Sequence, residues 1–240
     1  MAILVLRAKL FRGEYRPGEQ LQEATLASEL SLPKRDIHGI FEQLTIEGLV
    51  EVSEAKHFVV RDFTDRDIYD VIELQSVLEG TAARFAAARV AHPSELRTIR
   101  TCHQKMVALI NKHRSSPRFW AKPSPDLVSY SRLNGAFHNA LVDMAKSPLL
   151  KSAVERIRTI PFASPMSVTI QAGSEDIPKI AMQQHGAIID AIEKHQPELA
   201  ERLARQHALM ALRNVELNLE NLKSSGKRRI PRIALVTAGA

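Results

Sequence analysis

Three histidines and one asparagine have the side chains and the spacing to hold a metal ion. His138 follows Asn134 by four residues in LNGAFHNAL, so on a helix the two side chains project from one face. His185 comes 47 residues later in MQQHGAIIDAI, and His207 another 22 later in ERLARQHALMALRN. Each lies on or beside apolar residues recurring at helical spacing, which turns it inward. A lone inward histidine is more often a hydrogen-bonded core residue than a ligand, and that reading stands for each of the three taken singly. Together, three imidazoles from separate helices and an amide oxygen one turn before the first are the donors favoured by a divalent metal, Zn²⁺ foremost, with Ni²⁺ or another first-row ion as substitutes.

The elements that must position these groups are helical. Over 65–90, Ile68, Val71, Leu74, Leu78, Ala82 and Phe85 form one stripe; over 93–113, Leu96, Ile99, Met106 and Ile110 form another. Pro117, Pro123 and Pro125 break the chain before a third helix carrying Leu127, Tyr130, Leu133, Phe137, Leu141 and Met144. Residues 147–160, 176–195 and 197–222 supply further helices, with a Pro- and Ser-containing loop over 161–175 and Pro197 at a permissive first turn. No strand-like alternation of any length appears in this part, so the expectation is an all-α antiparallel helical bundle. His103, His113 and His195 lie near helix ends or polar loops and read as surface residues.

Before residue 64 the pattern is different. EATLASEL reads as a short amphipathic helix with Leu26, Ala27 and Leu30 inward, and Ser31 and Pro33 mark a tight turn. From Lys34 to Gly48, Ile37, Ile40, Phe41 and Leu44 recur at helical spacing, while Lys34, Arg35 and His38 project from the start of the segment. Gly48 ends it, and LVEV, SEAK and HFVV then read as two short strands about a polar turn. A short helix, a tight turn, a basic-tipped helix and a hairpin make a winged helix-turn-helix, whose second helix enters a major groove. Lys34 and Arg35 also admit the plainer reading of solvated charge. The chain is thus read as mainly α, with a DNA-binding domain over 1–63, a helical domain over 64–224 and a basic tail over 225–240, loosely ordered and open to a nonspecific DNA contact.

Net charge does not carry the nucleic-acid reading. The chain is +6 overall, yet residues 1–63 hold 8 Lys and Arg against 10 Asp and Glu. The basic excess lies partly in Lys223, Lys227, Arg228, Arg229 and Arg232. What counts is charge within roughly 10 Å of DNA, and Arg7, Lys9, Arg12, Arg16, Lys34, Arg35 and Lys56 are the candidates for such a surface. With 240 residues, 45% of them hydrophobic, two real cores are possible. The single cysteine, Cys102, excludes an internal disulfide framework and a thiolate metal cluster, and reads as a small buried residue. The apolar N-terminal patch is too short to span a bilayer and lacks a cleavage signal, so it reads as the first helix of the DNA-binding domain, in a cytoplasmic protein without a membrane partner.

RGEYRPGEQLQEATLASEL and the EGLVEV before the wing resemble the GntR family of bacterial transcription regulators, through Pro17, Gly18, Leu21, Glu23, Leu26, Ala27, Glu47, Gly48, Leu49 and Val50. PKRDIHGIF departs from that family's usual SRTPVREAL: Lys34 and His38 stand where arginines are usual. Neither reproduces a bidentate guanidinium, which implies a different operator or weaker binding. The wing tip, Glu54, Ala55, Lys56 and His57, lacks the usual glycine. DIYDVIELQSVLEGTAARFAA resembles the opening of the FadR-type C-terminal domain, the FCD class, and the spaced histidines resemble its metal-binding members.

The resemblance implies a homodimer on pseudo-palindromic operator DNA, with repression relieved by a small effector, a carboxylate held partly by the metal. It carries the ligand roles onto Asn134, His138, His185 and His207, and DNA contact onto Lys34, Arg35 and His38, with Arg16, Lys56 and His57 beside them. Gln75 replaces an arginine common in that class, which removes a carboxylate clamp; this implies either a less acidic effector or one held by Arg213 and the metal instead, with Asn214, two turns beyond His207, facing the same cavity. Two alternatives remain at this level: a metal-dependent enzyme on the helical bundle, with Glu175 or Asp190 as a base, and a regulator whose metal is purely structural.

Overall fold

The computed structural model describes residues 2–11, 14–62, 64–113, 125–158, 160 and 176–224, with 213–224 described by backbone alone. The expected loop over 161–175, including Glu175, and the basic tail over 225–240 lie outside the described residues.

The N-terminal part runs α1 (Ala2–Phe11), α2 (Glu23–Leu30), α3 (Lys34–Ile46), β1 (Val50–Val52) and β2 (Phe58–Val60). Leu6, Leu21, Leu26, Ile37, Phe41, Leu44, Leu49, Val50 and Val60 close one small core, with Ala27, Leu30 and Ile40 partly buried against it. Ser31 ends α2 in the left-handed region at φ 54, its N–H bonded back to the carbonyls of Ala27 and Ser28, and Pro33 caps the start of α3. Gly48, at φ +74, stops α3 in a conformation that costs a side-chain-bearing residue energy. The strands then pair antiparallel in the register Val50↔Val60, Glu51↔Val59 and Val52↔Phe58. Lys56 at the wing tip adopts φ 59, doing the work a glycine would do there.

The remaining elements are α4 (Asp65–Arg89), a 3-10 turn (Pro93–Leu96), α5 (Arg97–Lys112), α6 (Pro125–Met144), α7 (Pro148–Ile157), α8 (Asp176–Glu193) and α9 (Pro197–Ser224). Thr64 opens α4 through a capping box with Asp67. The pairing of α4 with α9 is the most extensive among the described residues. Small side chains allow it: Ala82, Ala83, Ala86 and Ala87 on α4 face a core that includes Ala200 and Ala204 on α9. At Gly80 a Cβ would strike the Arg205 side chain and stand 3.2 Å from the Glu201 carbonyl oxygen. Arg84 and Glu201 bridge the same pair of helices at 3.1 Å.

Two expectations are corrected here. Leu74, placed on the inner stripe of α4, is 54% exposed, while Gln75, Ser76 and Glu79 are buried. The alanines set the true inward face, rotated by about one residue from the face that the larger side chains suggest. His103 and His113, read as surface residues, are half-buried and meet the Met182 carbonyl at 3.0 Å and Asp126 at 2.7 Å; His195 is exposed as expected, with its Nδ1 3.0 Å from the Ala87 carbonyl. Cys102 is buried, and no helix among the described residues is long and apolar enough to cross a membrane.

Candidate functional site

Three helices converge on the histidines. His138 projects from α6, His185 from α8 and His207 from α9, and one nitrogen from each lies within 4.8 Å of the other two. The rings of His138 and His207 stack at 5.3 Å, and His185 meets His207 edge-on at 4.4 Å. Phe137, fully buried beside His138 in the chain, stacks on His185 at 3.8 Å and fixes its plane. Asn134 is buried one turn before His138 on α6.

A second layer of side chains fixes which nitrogen each ring presents. His138 donates Nδ1–H to Glu79 Oε2 at 2.8 Å, and His207 directs Nδ1 at Gln184 Oε1 at 2.9 Å, which leaves Nε2 of both rings facing the cluster. His185 Nε2 lies 2.9 Å from His207 Nε2. Burial alone would push the Glu79 carboxyl up, but His138 and Arg158 outweigh it and hold the group at about 2. Glu79 therefore stays ionised, gripped by His138, by Arg158 at 2.9 Å and by the Gln75 amide at 2.5 Å. Burial pushes His185 well below its ordinary value, with His207, His138 and His103 adding to the effect. Burial and then His138 bring His207 down to about 3, against a weaker pull from Glu79. Both rings are neutral near pH 7 and keep a lone pair for a cation.

The residues fit a divalent first-row ion. Nitrogens each about 2.05 Å from one ion stand about 2.9 Å apart at a right angle and about 4.1 Å apart when opposed. The 2.9 Å pair lies at the near limit, and the widest permitted spacing in the cluster, 4.8 Å, closes by less than about 1 Å. A carboxylate behind one ring and an amide oxygen behind another are the partners that orient ligating histidines.

Sequence reading missed Glu79, Arg158 and Gln184. The only available signal for the first was a glutamate one turn after Gln75 on an alanine-rich face, and Arg158 closes α7 far along the chain. Of the expected effector residues, Gln75 is buried and joined to the cluster through Glu79. Arg213 and Asn214 lie in α9, and their side chains are outside the described residues. Asp190, weighed as a base, is exposed. Glu79, the acid that does adjoin the histidines, is held ionised at about 2 by donors, so it is a poor general base.

On the N-terminal part, Lys34, Arg35, Arg16, Lys56 and His57 are all exposed. His38 is exposed too, but its Nδ1 is bonded to Glu23 at 2.7 Å, and Glu42 stands 3.7 Å from Nε2. The Glu23 bond raises His38 above its ordinary value. Lys9, expected on a phosphate-facing surface, is instead ion-paired with Glu29, with Glu14 at 3.7 Å. The side chains of Arg7 and Arg12 lie outside the described residues.

A winged helix-turn-helix followed by an all-helical body with a buried histidine cluster defines a two-part transcription regulator. The chain belongs to the FCD-domain family, the model of which matches residues 70–209, within the GntR class of transcription regulators. It is 22% identical over 223 residues to the HTH-type transcriptional regulator YdhC of Bacillus subtilis, covering 92% of this chain and 91% of that one. It is 26% identical over 166 residues to the Glc operon transcriptional activator of Escherichia coli, covering 69% of this chain and 60% of the relative. Other relatives include named repressors. A solved GntR regulator from Rhodococcus sp. RHA1 shares the fold at a TM-score of 0.58 and 16% identity, over 89% of this chain and 95% of the other. These proteins are transcription regulators and not enzymes, which sets the enzymatic alternative aside.

Proposed function

We propose that this regulator is a repressor that binds operator DNA as a homodimer, and that a small carboxylate metabolite bound at a metal in its helical domain releases it. Arg35 and Lys34 at the start of α3 read base edges, while Arg16, Lys56 and His57 contact phosphates. His38 reads less than its position suggests, because Glu23 already takes its Nδ1. Asn134, His138, His185 and His207 hold the metal, zinc before nickel. The bound cation supplies a Lewis-acid site for an anionic oxygen. Glu79 and Gln184 keep the imidazoles in the ligating tautomer, Phe137 keeps His185 in plane, and the neutral rings leave the ion's charge for the effector.

The observation that carries this reading is the convergence of three imidazole nitrogens within 4.8 Å, two of them backed by side-chain acceptors. Release requires that the effector bind the two arrangements of the reading heads unequally.

The test is anisotropy of the full chain on its own upstream DNA, metal-loaded and chelator-stripped, against a panel of small carboxylates. A carboxylate that weakens DNA binding only in the metal-loaded protein, and not in His185→Ala, is the expected result. Metal-dependent thermal stability with DNA affinity indifferent to every acid would make the metal purely structural.

A further inference from the structure

Gly48 and Gly80 answer to the fold: the first ends α3 at φ +74, and at the second a Cβ would strike α9. Gly39 answers to nothing inside the chain. It lies within α3 with ordinary helical backbone, it is exposed, and a Cβ built on it would meet no atom within 4 Å. Glycine there weakens the helix relative to alanine, because more backbone freedom is lost on folding. The packing of the domain gives no ground for it.

Its place on α3 is the line furthest from the core. Ile37, Phe41 and Leu44 face inward, and Gly39, two residues beyond Ile37, is turned about 200° from it. Arg35 and Glu42 share that outermost line, one turn before Gly39 and one turn after, with side chains 87% and 63% exposed. A donor, a gap and an acceptor therefore follow one another along the outer face of α3. A carboxylate on this line is repelled by phosphates and accepts from the amino groups of bases, so the line points at base edges.

We propose that Gly39 is a specificity-determining residue of the reading head, whose missing side chain admits the C5-methyl group of a thymine in the operator. This rests on the reading of α3 as the helix that enters the major groove. Inside an α-helix the N–H and C=O of residue 39 are bonded along the helix, so the position offers no hydrogen bond to a base. The polar groups on the major-groove edges are donors or acceptors and would be left unsatisfied against it, whereas the thymine methyl fills the space and needs no partner. A Cβ at position 39 would occupy the volume of that methyl. It would hold α3 off the DNA and lengthen the contacts of Arg35 and Glu42 on either side together.

The experiment measures binding of the full chain to its own upstream DNA by anisotropy, against a scrambled duplex of the same length, for the parent, Gly39→Ala and Gly39→Val. Gly39→Ala free of DNA is expected to melt a few degrees higher than the parent. It is nevertheless expected to bind the operator roughly tenfold more weakly, with binding to scrambled DNA unchanged. Gly39→Val, bulkier and a poorer helix former, is expected to lose more affinity than Gly39→Ala, as exclusion by size requires. Replacing the operator thymines by deoxyuridine, one position of each half-site at a time, then removes single methyl groups. At one position the parent is expected to lose about fourfold, while Gly39→Ala recovers most of its loss because its own methyl takes the vacated space.

Operator binding unchanged in Gly39→Ala, a melting temperature lowered by it, a greater loss in Gly39→Ala than in Gly39→Val, or no thymine whose demethylation rescues the variant overturns the inference and leaves α3 as the reading helix. Undiminished operator binding in Lys34→Ala and Arg35→Ala, or equal binding of the parent to upstream and scrambled DNA, overturns that reading as well.

Discussion

The two parts of this regulator keep their candidate functional groups in opposite places. In the winged helix, Lys34, Arg35, Lys56 and His57 stand in solvent, and the core of Leu26, Ile37, Phe41 and Leu44 closes without them. In the helical body, His138, His185, Gln75 and Glu79 are themselves buried and take up space that an apolar core would otherwise fill. The reading surface can therefore change specificity at little cost to folding. The buried cluster cannot: each polar group inside is stable only while its partners remain.

The largest effect that would break this contrast is at Glu79. Glu79→Ala strands His138 and Arg158, and removing one partner of a buried pair costs about 3–5 kcal/mol. The same change should weaken metal binding by about 10- to 100-fold through loss of the support behind His138. Denaturant unfolding and metal competition measure the two; a variant as stable as the parent would show that the pair contributes nothing to folding. Next in size, Lys34→Ala and Arg35→Ala should each cost about 1–3 kcal/mol in operator binding while leaving stability within about 0.5 kcal/mol. Undiminished, salt-sensitive DNA binding would mean that another surface reads the groove.

Acidity sharpens the same contrast. His185 and His207 are held below the ordinary histidine value of 6.5, so the unfolded chain takes up protons that the folded chain refuses. Stability of metal-stripped protein should therefore be full above about pH 6.5 and fall as pH drops toward 3. Glu79, held near 2 against an ordinary 4.5, contributes stability above 4.5 that is lost as pH falls toward 2. Both act in one direction, so thermal melts from pH 7 to pH 4 should show monotonic loss. A flat profile would mean that the rings already titrate normally. The smallest effect belongs to the wing tip: Lys56→Gly relieves a left-handed side-chain-bearing residue, worth about 1 kcal/mol, while removing a phosphate contact and so flattening the salt dependence of DNA binding.

The same division explains what the sequence made legible. Periodicity, Gly48, Pro33 and the short β runs mark the winged helix because its turns and core follow local rules. The histidines could be picked out because their type is uncommon on an apolar stripe. Glu79 could not, since a glutamate in a charged helix looks like a solvated residue unless the face of the helix is known. That face was misjudged: large residues such as Leu74 suggest one stripe, whereas close packing against α9 selects the alanines. Arg158 was hidden for another reason, lying 79 residues from the carboxylate it meets. Pairing at that distance has no local signature.

Metal content per chain tests the account most directly. Full-length protein purified without chelator and exchanged into metal-free buffer should retain one divalent first-row ion per chain, and His138→Ala or His185→Ala should lose it while operator binding through the winged helix persists. Wild-type protein that takes up no such ion when offered zinc or nickel, or an ion kept equally by both histidine variants, would contradict it.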